Sequence, residues 1–83
     1  MNYLLFTTTT CPRCPSFKEF INKFVKFPGK VLDERDENFK NLTLEYAVSS
    51  VPTILVFEDE SLDNAVCRTG DPAELYSFLN SNP

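Results

Sequence analysis

Histidine is absent from all 83 residues of this chain. That excludes imidazole acid–base catalysis and zinc sites of the mixed cysteine–histidine kind. No basic run or stripe occurs either. Eight basic residues stand against 12 acidic ones, for a net charge of −4, which makes nucleic acid a poor partner. Long apolar runs are missing too. Residues 54–57, ILVF, are among the longest, far short of the ~20 residues that span a bilayer, so no membrane segment is expected. The opening MNYLLFTTTTCP lacks the charged start and full apolar stretch of a secretory leader. The expected compartment is therefore the cytoplasm, where thiols are kept reduced. Cysteines number three, an odd count that argues against a disulfide framework of the secreted kind.

What is present suits one small α/β domain over residues 1–83: 42% hydrophobic residues, eight of them Phe, suffice for a modest core. Residues 2–8 are apolar, aromatic and β-branched, and read as a strand. Phe17, Phe20, Ile21 and Phe24 recur at helical spacing, with the three Phe expected in the core. Pro12 suits the first helical position, and Pro28 with Gly29 is the expected stop. Residues 30–34 read as a second strand and about 37–46 as a helix with Phe39, Leu42 and Tyr46 inward. Residues 49–57 are a turn feeding a continuous apolar strand, the pattern of a central strand buried on both faces. A polar turn at 58–64 and a return strand at 65–69 complete a hairpin. For the last helix Asp71 is the expected N-cap, Pro72 the first residue and Glu74 the partner in a capping-box-like pattern, with Leu75, Phe78 and Leu79 as the apolar stripe. The order β-α-β-α-β-β-α predicts a parallel pair at the start, an antiparallel edge at the end, and a four-stranded mixed sheet with helices on both faces.

The chemistry-bearing motif is Cys11-Pro12-Arg13-Cys14, at a strand-to-helix junction inside a βαβ unit. A helix N-terminus carries free N–H groups and roughly half a positive charge. A thiolate there is stabilised, so its pKa falls below the free-thiol value of about 8.5. The spacing permits a reversible disulfide with unequal roles: Cys11 as the exposed attacking thiolate and Cys14 as the resolving thiol. Arg13 either tunes Cys11 or contacts an acidic partner, beside the plainer reading of an exposed residue. A closed zinc site within one chain falls short of ligands, because only the distant Cys67 could add to the pair. A metal or iron–sulfur cluster held by the cysteine pair between two chains stays open. Cys67 itself, on an alternating strand, reads as a small apolar residue.

These residues resemble the thioredoxin and glutaredoxin superfamily over nearly the whole chain. The likeness rests on CPRC after the first strand, AVSSVPTILVF before and through the third, and TG before the last helix. It implies a thioredoxin fold, with three helices flanking the sheet, and a dithiol–disulfide oxidoreductase that reduces protein disulfides through Cys11 and Cys14. It also implies that Pro52 is cis and faces the cysteine pair, keeping Val51 extended so that its backbone docks a substrate chain as a short strand. Pro12, Arg13 and Gly70 would line the same substrate groove, with Asp71 beside Gly70. No bound cofactor is implied. Electrons would come from a thioredoxin-reductase-like protein or a low-molecular-weight thiol, and the chain would act as a monomer. CPRC is similar to the CPxC of glutaredoxins, so a glutathione-dependent glutaredoxin is the alternative. Leu5 stands where thioredoxins carry a buried acid, leaving proton handling at Cys14 to water or another group.

Overall fold

The structure is a computed structural model and describes residues 1–58 and 65–81. The elements follow in the order β1 (Asn2–Phe6), α1 (Cys14–Phe24), β2 (Gly29–Leu32), α2 (Phe39–Glu45), β3 (Thr53–Phe57), β4 (Ala65–Thr69) and α3 (Pro72–Ser81). The strands form one sheet in the spatial order β2-β1-β3-β4. β1 runs parallel to β2 and antiparallel to β3, and β4 closes the far edge antiparallel to β3. This is the expected order and the expected mixed sheet. The polar turn expected at 58–64 lies, apart from Glu58, outside the described residues.

Side chains alternate between the two faces of a sheet, so the two inner strands feed two cores. Leu5, Ile54 and Val56 point to one face, where Phe17, Ile21 and Val25 from α1 and Leu75 from α3 cover them. Leu4, Phe6, Leu55 and Phe57 point to the other, joined by Leu32 and covered by half-buried Phe39 and Leu42 from α2 and Tyr46 at its C-cap. All five residues of β3 are buried, which explains its unbroken apolar run. Among the described residues no helix is long and apolar enough to cross a membrane.

Several boundaries differ from the sequence reading. Pro12 does not open α1, which begins at Cys14, with Pro15 in its first turn. A helix begun at Pro12 would need the Pro15 N–H for a bond back to residue 11, and its ring would meet that carbonyl. Beginning at Cys14 puts Pro15 where no donor is required. The helix also stops at Phe24, before Pro28, because Val25 turns extended and is buried, and Phe27 packs edge-on against Tyr3. Gly29 is not the stop but the first residue of β2, paired with Tyr3, whose ring occupies the space a Cβ would need. β2 ends at Leu32, short of residue 34, because Asp33 and Arg35 close a turn on each other. α2 is shorter than expected at both ends, starting after the Asp36–Asn38 turn.

Of the three phenylalanines expected in the core, Phe17 is buried, Phe20 is half-buried and Phe24 is exposed. The buried stripe of α1 runs through Cys14, Phe17 and Ile21, continuing to Val25. Phe20 and Phe24 lie to one side of it, against Tyr76 of α3, and Phe24 is 45% exposed.

Candidate functional site

Cys11 and Cys14 are disulfide-bonded, with Cα atoms 5.5 Å apart. The two sulfurs sit in unequal surroundings. Cys14 belongs to the buried stripe of α1 and is 2% exposed, whereas Cys11 lies in the preceding loop and is half-buried. Arg13 is the N-cap of α1 by backbone only. No side chain caps this end and no acid stands in its first turn. The first intrahelical donor is the Phe17 N–H, which reaches the Arg13 carbonyl at 3.2 Å. The positive end of the helix dipole therefore meets the cysteine pair without a protein anion in that turn to neutralise it.

Pro52 lies at the start of β3, fully buried, and its bond to Val51 is cis. The turn before it is closed by the Thr53 hydroxyl, which donates to the Ser50 carbonyl at 2.7 Å. From the other side Gly70 approaches so closely that a Cβ there would strike the Pro52 carbonyl oxygen. This is the physical reason for glycine at the β4–α3 junction.

A groove of about 550 Å³ runs between these elements. One wall is Pro12, Arg13 and Ser16; the other is Gly70 and Asp71, with Pro52 between. Four of the residues singled out from the sequence, Pro12, Arg13, Pro52 and Gly70, thus meet around one cavity beside the disulfide. Val51 does not join them: it packs with the α2-side core and lines a separate pocket with Thr8 and Phe39. Among the described residues nothing hydrogen-bonds to the Val51 N–H or C=O.

The far wall is braced by a relay that differs from a plain capping box. Asp71 caps α3 as expected, its carboxylate accepting the Ala73 N–H at 2.9 Å. Glu74 does not reach back to the Asp71 backbone. It accepts the Thr69 hydroxyl at 2.9 Å, and that oxygen in turn accepts the Asp71 N–H at 3.0 Å. The buried hydroxyl of Thr69 thus bridges the two acids' roles. Glu74 and Ser16 line the groove as well and were not foreseen. Their signal was their position in the first turns of α1 and α3, which only the packing of the two helices brings together.

Cys67 is a free cysteine outside the groove lining. It is half-buried against the α1–α3 core, and burial, then the Glu74 charge, pushes its thiol pKa up. Leu5 is fully buried among apolar neighbours, so no acid stands at that position. Among the described residues no three histidine, cysteine, aspartate or glutamate side chains gather to hold a metal ion.

No protein-family model matches the chain, and no curated protein matches it. Solved structures do. Thioredoxin O2 of Arabidopsis thaliana in its oxidised state superimposes with a TM-score of 0.76 at 21% identity, covering 98% of this chain and 73% of that one. An uncharacterised thioredoxin-like protein from Clostridium perfringens gives 0.71 at 22% identity, covering 96% and 68%. Thioredoxin 1 of Thermosipho africanus gives 0.66 at 16% identity, covering 98% and 89%. At these identities the likeness is one of fold.

Proposed function

We propose that this chain, which has the thioredoxin fold, is a small dithiol–disulfide oxidoreductase that reduces protein disulfides through Cys11 and Cys14. The observation that carries the reading is the asymmetry of the pair: a half-buried Cys11 and a buried Cys14, disulfide-bonded at the uncapped start of α1 and beside a groove. A structural staple would gain nothing from that arrangement.

In the reduced protein the Cys11 thiolate, favoured by the helix end, attacks one sulfur of a substrate disulfide. A Cys11–substrate bond forms, the substrate bond breaks, and the departing sulfur takes a proton. Cys14 then loses its proton, to water in the absence of an acid at Leu5, and attacks the Cys11 sulfur. The Cys11–Cys14 bond forms and the second substrate thiol leaves. Two electrons have passed from the pair to the substrate, and the two substrate thiols take their protons from solvent, which received the one Cys14 gave up. A substrate strand would lie along Val51, whose backbone groups are unengaged, with Pro12, Arg13, Pro52 and Gly70 lining its path. One chain holds both sulfurs, so the cycle needs neither a second copy nor a bound cofactor. A thioredoxin-reductase-like protein or a low-molecular-weight thiol such as glutathione resets it.

The test is trapping. Cys14→Ser removes the resolving thiol, so incubation with a disulfide-bonded protein should accumulate a mixed disulfide through Cys11, seen as a reducible adduct by mass. If Cys11→Ser traps better, the roles are reversed. If neither variant traps and the parent protein reduces no disulfide, the reading fails.

A further inference from the structure

We propose that Glu34 is a positioning residue for Cys11, its carboxylate acting as the last rung of the β1–β2 ladder and holding the loop that carries the attacking sulfur. This rests on the functional reading above for its consequence, though not for its geometry. β1 and β2 are parallel, and their bonds recur every second residue: the Tyr3 N–H reaches the Pro28 carbonyl at 3.2 Å, and the Thr7 N–H reaches Leu32 at 2.8 Å. The next rung would join the Thr9 N–H to the main-chain carbonyl of Glu34. There β2 has already ended, because Asp33 accepts the Arg35 N–H at 2.8 Å and turns the chain away. The Glu34 side chain takes the rung instead. Its carboxylate accepts the Thr9 N–H at 2.9 and 3.2 Å and the Thr9 hydroxyl at 3.2 Å.

The consequence lies two residues on. The Cys11 N–H donates to the Thr8 carbonyl at 3.3 Å, so Cys11 hangs from a turn whose middle is pinned by Glu34. Strand β1 no longer holds this loop by main-chain bonds beyond Thr7. Without the carboxylate, Thr9 would be free and the Cys11 sulfur would spend less time at the helix end that favours its thiolate. Glu34 is exposed, and nothing in the apolar cores depends on it.

The charge of Glu34 works against the thiolate while its hydrogen bonds work for it, and two variants separate the effects. Reduced parent, Glu34→Ala and Glu34→Gln proteins are alkylated with iodoacetamide near pH 7, and Cys11 modification is followed by mass. Glu34→Ala should slow Cys11 alkylation by about threefold or more, since loop and sulfur are released. Glu34→Gln keeps an acceptor for Thr9 and loses the charge, so it should match or exceed the parent rate. An unchanged rate in Glu34→Ala, or a Glu34→Gln rate as low as that of Glu34→Ala, overturns the proposal. Hydrogen exchange of the Thr9 amide in the parent protein adds a check that needs no variant: the clamp requires protection, and an unprotected amide overturns it. Alkylation reads the sulfur directly. A protein that alkylates as expected but reduces no disulfide would sink the functional reading and leave the clamp standing.

Discussion

The two faces of the sheet are built to different depths. On one face, α1 and α3 bury their own residues: Phe17, Ile21 and Leu75 sink between the helices and the strand residues Leu5, Ile54 and Val56. On the other, every fully buried residue belongs to a strand, and the seven-residue α2 contributes only half-buried Phe39 and Leu42, with Tyr46 just beyond it. The difference bears on function. Cys14 and Ser16 ride on α1 and Glu74 rides on α3, with the rest of each wall in the residues that lead into these helices, so both walls join the deeper core. The thinner face carries Val51 and the turn that leads to Pro52. The deeper side carries the sulfurs, and the lighter side carries Val51.

Truncating each face sharpens the contrast. Phe17→Ala empties the centre of the α1 side and should cost about 3–5 kcal/mol, a large share of the ~5–15 kcal/mol that a domain possesses. Leu42→Ala removes a half-buried contact from the α2 side and should cost about 1–2 kcal/mol. Urea unfolding of both variants measures this directly, and equal losses would mean that the faces are equivalent. Disulfide reductase activity should follow the same split, with Leu42→Ala retaining most of it at 25 °C.

Gly70→Ala probes the join between the sides. The new Cβ meets the Pro52 carbonyl oxygen, which is backbone and must move for the variant to fold. Overpacking of this kind costs about 1–3 kcal/mol. The shift falls on Pro52 in the groove, so reduction of a protein disulfide should suffer more than reduction of a small aliphatic disulfide that needs no docking strand. Equal losses on both substrates would remove Pro52 and Gly70 from substrate docking.

The order of elements and the assignment of strands to a twice-covered sheet were legible because apolar spacing states both. ILVF has no polar residue to spare for solvent, and β3 is buried throughout. The start of α1 was not legible from Pro12 alone, because Pro15 competes for the same role and wins by its missing donor. Phe24 has the right spacing for burial, and its exposure depends on where Tyr76 of α3 comes to rest. At the site, the cysteine pair, Pro52 and Gly70 could be named from short motifs. Ser16 and Glu74 could not, because their meeting depends on two helices separated by three strands in the chain. The Glu34–Thr9 rung is of the same kind: two strands must be aligned in register before a glutamate and a threonine 25 residues apart become neighbours.

The smallest expected effect concerns the turn that aims Glu34. Hydrogen bonds from the Arg35 side chain, then from its backbone N–H, hold the Asp33 carboxyl down from 3.8 to about 2. The guanidinium contributes at 2.7 Å from Nη2 and 3.2 Å from Nε. A carboxylate whose pKa is depressed by folding stabilises the fold above its unfolded value and loses that contribution as pH falls through the folded one. The window here is therefore about pH 4 down to pH 2. The pair is at the surface, where screening keeps the energy small and salt reduces it further. Parent and Asp33→Asn proteins should differ slightly in melting temperature at pH 5 and low salt, converge as pH falls to 2, and converge at pH 5 when salt is raised. A gap that persists at pH 2 would mean that the Asp33 side chain shapes the turn through its neutral form as well. The turn would then owe its geometry to the Arg35 N–H donated to the Asp33 side-chain oxygen more than to charge, and Glu34 would keep its aim on Thr9 even in acid.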